Sequence, residues 1–302
     1  MGKNLIEGKK EKVGNIAKII LESFKQLKVN LEITDLQHSK VSTRQQKVRK
    51  VVENEFNVLD SFLTGSYSRH TMIAPLSEAD IDIFIILHSS YYKEDGQADL
   101  LDKVRRALLK TYTNIPKISR NGQAVTITFT DFIVDVVPAF NRRNGGYLIP
   151  NSITKNWLST DPKKHVEIMS IQNKKHDDDL VPLIKMIKGW NKVINDNFRS
   201  FHLEVMALQI LNGVKISDYP SGIRYFFDKG RSYVKEKNPD PAGYEGDVGN
   251  YLNTQEKSDV TNKFETAYNR AKKAEDYEKN DDTESAVGEW KKIFGNYFPS
   301  YR

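Results

Sequence analysis

The chain has 302 residues, 38% hydrophobic and 28% charged, with a net charge of +6 and no cysteine. That length can bury the core of one large domain or two modest ones. The missing cysteine excludes disulfides, thiolate zinc ribbons and cysteine nucleophiles, while the mild basic excess suits a partner that carries phosphates. The opening MGKNLIEGKK holds no apolar run of signal-peptide length, and Ile6 stands where a myristoylation motif needs Ser or Thr. No apolar stretch is long enough to span a bilayer, so the expectation is a cytoplasmic protein with no membrane partner.

In chain order, Val13, Ile16, Ile19, Ile20, Phe24 and Leu27 recur at helical spacing and predict a long amphipathic helix from Glu11 to Leu31. A second helix is expected over Thr43–Glu55, with Val48, Val51 and Val52 on one face. Asn57–Thr64 reads as a strand ending at Gly65-Ser66, and the apolar run Ile81–Leu87 as a strand buried on both faces. Asp99–Tyr112 returns to helical spacing. Ala124–Phe129 and Phe132–Pro138 read as strands joined at Thr130-Asp131, the first with Val125 and Ile127 on one face and Thr126 and Thr128 on the other.

After Thr160 the period becomes helical. Leu183, Ile184, Ile187 and Trp190 form one stripe, and Leu203, Met206, Ala207 and Ile210 another. Asn238–Gly249, rich in Pro, Gly, Asp and Asn, predicts a long surface loop ahead of charged helices over Gln255–Glu278 and Thr283–Phe294. The expected fold is α+β. A nucleotidyltransferase-type core over residues 1–160, its first helix bridging both parts, is followed by a helical lobe over residues 161–302 that closes the cleft.

The chemistry concentrates between Leu63 and Ala139. Asp80 and Asp82 alternate at the start of an apolar strand and so point to one face. Two bare carboxylates about 4 Å apart repel by roughly 4 kcal/mol at an effective dielectric near 20. A divalent cation such as Mg²⁺ removes that repulsion. Asp135 sits in the apolar run Ile133–Val137, where a charge is expensive unless paired or metal-bound. Three converging carboxylates are what a two-metal phosphoryl-transfer site needs. The bland alternative has Asp80 capping the strand and Asp135 meeting a buried arginine. Gly65-Ser66, between strand and helix, can bring backbone N–H groups close to a phosphate, although it lacks the Gly-Lys-Ser/Thr ending of a Walker loop. Arg69 can pair with a phosphate or with one of the aspartates.

The pattern Gly65-Ser66-Tyr67-Ser68-Arg69-His70-Thr71, Pro75, Asp80-Ile81-Asp82 and Asp135-Val136-Val137-Pro138-Ala139 resembles the cGAS/DncV-like nucleotidyltransferases (CD-NTases) of the polymerase-β-like superfamily. Lys185, Lys188, Trp190-Asn191 and Ser200–Glu204 resemble the family's nucleotide-contact region. The resemblance implies a template-independent nucleotidyltransferase that makes a cyclic di- or trinucleotide from NTPs (ATP, GTP or both), releases pyrophosphate and signals in antiphage defence. It assigns two metal ions, Mg²⁺ or Mn²⁺, to Asp80, Asp82 and Asp135, with Asp135 also preparing the acceptor 3′-hydroxyl. Gly65 and Ser66 would cradle the donor triphosphate, with Lys185, Lys188 and Ser200 as further phosphate contacts and Gln46 near a base.

Each of those contacts has a plainer alternative. For the lysines it is a solvated helix face, and for Ser200 it is the N-cap of a helix starting near His202. Lys9-Lys10 and Lys163-Lys164 read as solvated faces, and Asp177-Asp178-Asp179 as a helix start. The six histidines are scattered, so no zinc site is expected. The animal cyclic GMP-AMP synthase clamps DNA with a cysteine zinc ribbon. This chain cannot build one, so DNA is not expected as an obligate activator, though a regulatory partner protein fits the family. Two rival functions stand beside this one: a nucleotidyltransferase acting on an antibiotic, a tRNA end or a protein, and a non-catalytic nucleotide-binding partner.

Overall fold

A computed structural model describes residues 18–114, 117–244 and 246–301. Val13, Ile16 and Lys9-Lys10 lie outside the described residues. The chain divides into two units, one holding residues 33–170 and 241–244, the other the described residues up to Glu32 together with residues 171–240 and those from 246 onward.

The first unit is built on a mixed sheet. Its strands are β1 (Val58–Thr64), β2 (Asp80–Leu87), β3 (Ile118–Asn121), β4 (Ala124–Thr128), β5 (Ile133–Asn141), β6 (Tyr147–Asn151) and β7 (Asn156–Thr160). They run in the order β1-β2-β5-β4-β3, and a β6–β7 hairpin continues from the end of β5. Only β2 and β5 pair in parallel; every other pairing is antiparallel. β2 is central because its sequence suits burial on both faces. Ile81, Ile83, Ile85 and Leu87 join Val125, Ile127, Val134 and Val136 in the main core. Val41, Val48 and Val52 of helix α2 (Asp35–Glu55) and Leu100, Leu101, Val104 and Leu108 of α4 (Gln97–Thr111) complete that core. Each such side chain contributes roughly 1.5–3 kcal/mol on burial.

The other face of β2 changes character along its length. It starts with Asp80 and Asp82 and continues with Phe84 and Ile86, which pack with Val137, Ala139 and Ile149 in a smaller cluster. One strand face is therefore polar at its N-terminal end and structural beyond it.

Helix α2 starts earlier than its valine spacing predicts. Thr34 accepts a hydrogen bond from the Gln37 amide (3.3 Å) while the Gln37 side chain accepts from the Thr34 amide (2.8 Å). This reciprocal box satisfies two amides that a helix start leaves without partners, so the helix extends back to Asp35. Strands β3, β6 and β7 were also absent from the sequence prediction.

The second unit is helical: α1, described over residues 18–30, the end of α5 (Pro162–Lys175), α6 (Leu180–Val193), α7 (Ser200–Ile210), α8 (Tyr219–Tyr233), α9 (Thr254–Lys279) and α10 (Thr283–Phe294). Trp190 packs on Phe227 (4.9 Å between ring centroids) and Phe264 (5.0 Å). Phe24 of α1 meets Trp290 edge-on at 4.9 Å. Asp179 stands at the N-cap of α6, as the acidic run predicts. The segment predicted as a surface loop, Asn238–Gly249, is closed at its base: Asn238 is fully buried, its amide donates to Asp247 (3.0 Å) and Val248 donates to its carbonyl (2.9 Å). No helix among the described residues is long and apolar enough to cross a membrane.

Candidate active site

Register brings the acidic residues together. Asp82 of β2 lies opposite Asp135 of β5, Thr64 of β1 lies opposite Asp82, and Thr126 of β4 lies opposite Asp135. Directly paired residues project to the same face of a sheet. Four adjacent strands therefore present the row Thr64, Asp82, Asp135, Thr126, with Asp80 two residues before Asp82 on the same side. One carboxylate oxygen from each of Asp80, Asp82 and Asp135 lies within 4.8 Å of the others. This is the sole such convergence of acids or histidines among the described residues. Asp80 is exposed; Asp82 and Asp135 are half-buried. Neither alternative reading of the aspartates, a strand cap or a buried arginine pair, accounts for a cluster of all three.

The chain folds tightly around Asp82. After Thr64 it turns at Gly65, whose φ is +67°, into a single helical turn, α3 (Gly65–Ser68). A Cβ at Gly65 would sit 1.8 Å from Asp82 Oδ2, so only glycine leaves the carboxylate in place. The Ser66 carbonyl accepts from the amides of Thr71 (2.9 Å) and Met72 (3.1 Å), which folds the following segment back against the turn. Arg69 is buried, and its charge acts on Asp82.

Electrostatics agree with the geometry. Burial, then the charges of Asp80 and Asp135, push the Asp82 carboxyl up to about 8, with Arg69 pulling the other way. Burial, with a further push from Asp80, also raises Asp135, against a hydrogen bond donated by the Thr126 hydroxyl (2.5 Å). Like charges this close stay ionised together only with a counter-charge. An all-oxygen set of three carboxylates fits a hard divalent cation.

The predicted lysines and Ser200 belong to the helical unit. Lys185 and Lys188, one turn apart on α6, are buried, which corrects the solvated-face alternative. Lys185 pairs with Glu32 at 2.5 Å and Lys188 with Glu204 at 2.6 Å. The capping alternative for Ser200 is also corrected. Arg199 holds the N-cap position of α7, and Ser200, exposed, is the first residue of the helix. Gln46 is exposed on α2. Sequence reasoning missed Thr126 as a partner of Asp135; its outward-facing threonine was visible, but the register that brings the two together was not.

Residues 19–173 match the model of the Second Messenger Oligonucleotide or Dinucleotide Synthetase domain, SMODS, over more than half of the chain. The chain belongs to this family. It is therefore a nucleotidyltransferase that synthesises a second-messenger nucleotide, as the motif resemblance implies, and both rival functions fall away. A Bacillus cereus (strain VD146) protein named as a probable cyclic nucleotide synthase is 28% identical over 276 residues, covering 78% of this chain and 81% of its own. A cyclic AMP-AMP-AMP synthase of Acinetobacter sp. is 28% identical over 263 residues, covering 82% and 76%. Among solved structures, Escherichia coli MS115-1 CdnC in complex with HORMA-deltaN superposes with a TM-score of 0.76 at 17% identity, covering 93% of this chain and 98% of that one. That likeness is one of fold, and it reaches beyond the residues that the family model matches.

Proposed function

We propose that this SMODS enzyme joins NTPs, ATP among them, into a cyclic oligonucleotide, with two Mg²⁺ or Mn²⁺ ions held by Asp80, Asp82 and Asp135. The observation that carries the reading is the convergence of those three carboxylates beside Gly65. ATP is supported by the names of the relatives, which include a cyclic AMP-AMP-AMP synthase. When bound, the ions supply charge neutralisation and a more acidic acceptor hydroxyl. Asp82 and Asp80 bind from one strand and Asp135 from the next, so the sheet fixes the spacing of the ligand oxygens. Gly65 keeps the backbone close without displacing Asp82, and the Gly65-Ser66 turn is the proposed cradle for the donor triphosphate. Asp135 would prepare the acceptor 3′-hydroxyl, with most of the acceleration coming from positioning and charge neutralisation.

Phosphate contacts by Lys185, Lys188 and Ser200 are part of the same proposal. Lys188 would have to exchange its pairing with Glu204 to reach a phosphate. A role in antiphage signalling is supported by related cyclases named for CBASS, and control by a partner protein by the complex of E. coli CdnC with HORMA-deltaN. No DNA activator is required in this reading, because the chain has no cysteine for a zinc ribbon.

The test is incubation of the protein with all four labelled NTPs and Mg²⁺ or Mn²⁺, then phosphatase treatment and mass spectrometry. A cyclic product has no terminal phosphate and survives. Pyrophosphate release with only phosphatase-sensitive products would overturn cyclisation. A strict requirement for long double-stranded DNA would overturn DNA independence.

A further inference from the structure

We propose that Thr126 is a positioning residue for Asp135: its hydroxyl fixes the plane of that carboxylate so that one oxygen stays turned toward the metal site. The inference rests on the reading of Asp80, Asp82 and Asp135 as metal ligands. Thr126 of β4 is the direct cross-strand partner of Asp135 of β5, and its Oγ1 donates to Asp135 Oδ1 at 2.5 Å. A hydroxyl-to-carboxylate bond this short is of the charge-assisted kind, stronger than a bond between neutral groups.

The two side chains differ in stiffness. The terminal torsion of an aspartate is broad, so a carboxylate on a rigid strand can still rotate about its own axis. Threonine, branched at Cβ, has few χ1 states, and in a strand paired on both sides its hydroxyl has a nearly fixed position. The stiff partner therefore orients the loose one. With Oδ1 engaged by Thr126, Oδ2 is left for a cation.

Asp82 is held differently. The backbone of Gly65 lies close against its Oδ2, with no room even for a methyl group. The two half-buried ligands are thus each constrained from the outer side of the row, Asp82 from β1 and the turn that follows it, Asp135 from β4. Partners that orient a ligand without touching the metal typically change metal affinity by roughly 10–100-fold when removed.

The experiment is a Mn²⁺ titration of the full chain without nucleotide, followed by electron paramagnetic resonance, on wild type, Thr126→Val, Thr126→Ala, Thr126→Ser and Asp135→Asn. Valine keeps the shape and strand preference of threonine and removes only the hydroxyl; alanine serves if valine lowers the melting temperature. The expected result is Mn²⁺ affinity weaker by roughly tenfold or more in the Val and Ala variants and recovered in Ser. Wild-type affinity in folded Val or Ala variants would overturn the role of Thr126. So would a Ser variant as weak as Val, because it would assign the effect to the methyl group. Asp135→Asn separates this claim from its premise. If that variant binds Mn²⁺ like wild type, the metal reading of Asp135 fails. If it loses Mn²⁺ while Val and Ala do not, only the Thr126 inference fails.

Discussion

The two units bury charge in opposite ways. In the helical unit, buried charges meet their opposites. Lys188 and Glu204, with side chains 5% and 0% exposed, pair at 2.6 Å, and Lys185 pairs with Glu32. In the sheet unit, three carboxylates crowd within 4.8 Å, with the charge of Arg69 and the Thr126 hydroxyl as offsets. A matched buried pair is a structural element whose removal exposes its own desolvation penalty. A cluster of like charges is instead a destabilising arrangement, kept where something else supplies the missing charge. The comparison locates the function without appeal to any motif: it lies where the protein leaves its own electrostatics unfinished.

The largest effect expected from breaking this contrast is on turnover. Asp80→Ala or Asp82→Ala should lower pyrophosphate release by roughly a thousandfold or more, about 4 kcal/mol of transition-state stabilisation. The metal-free melting temperature should hold or rise, since one member of a cluster that burial and like charge disfavour is gone. Turnover near wild type in either variant would remove that aspartate from the chemistry.

The matched pair should respond in the opposite sense. Glu204→Gln leaves the buried Lys188 charge without its carboxylate and should destabilise the fold by about 3 kcal/mol, read from denaturant midpoints. Adding Lys188→Met should restore part of that loss, because no unpaired charge then stays buried. A Glu204→Gln protein as stable as wild type would mean that the pair is not the structural element described above.

A smaller effect separates roles inside the acidic row. Asp135→Asn should lower turnover by roughly a hundredfold, about 2.7 kcal/mol, while sparing the affinity for a non-hydrolysable ATP analogue measured by calorimetry. Equal losses in both would move Asp135 to the donor-binding residues.

Much of this site is legible in the sequence because its chemistry is local. Strand alternation alone puts Asp80 and Asp82 on one face, and a charge inside Ile133–Val137 stands out against its neighbours. What the sequence does not carry is register. That Asp82 lies level with Asp135, and Asp135 with Thr126, depends on pairings between segments far apart in the chain. The missed elements have equally physical reasons. Strand β3 is only four residues, Ile-Ser-Arg-Asn, too short to show alternation. Pro150, which cannot donate to a ladder, obscures the strand Tyr147–Asn151, yet it lies in the β6 ladder opposite Trp157. Helix α8 follows the helical period read after Thr160 despite Gly222 and Gly230, which disfavour a helix interior. At Gly230 the reason is packing, since a Cβ there would lie 2.5 Å from Phe264. The burial of Lys185 and Lys188 was hidden because their partners lie elsewhere in the chain, Glu32 in the bend after α1 and Glu204 on α7.

The smallest predicted effect is a slope of stability with pH, and its sign tests the unfinished electrostatics directly. The folded metal-free protein holds a proton on Asp82 up to about pH 8, whereas the unfolded chain releases it near the ordinary value of 3.8. Between those values the folded state binds more protons, so stability falls as pH rises and levels off above about 8. Asp135, also raised, adds to the same slope. His202 works the other way lower down. Burial holds it at about 4 instead of 6.5, so stability rises through that window as pH increases. The window from about 6.5 to about 8 therefore lies above the His202 range and within that of Asp82. Metal-free wild type should lose a few degrees of melting temperature across it, and Asp82→Asn should lose less. Saturating Mg²⁺ should flatten the wild-type curve, because the cation favours the ionised carboxylates and its stabilisation grows with pH. A metal-free curve that stays flat across this window would show that Arg69 already keeps Asp82 ionised, and the contrast between the two units would then be one of degree only.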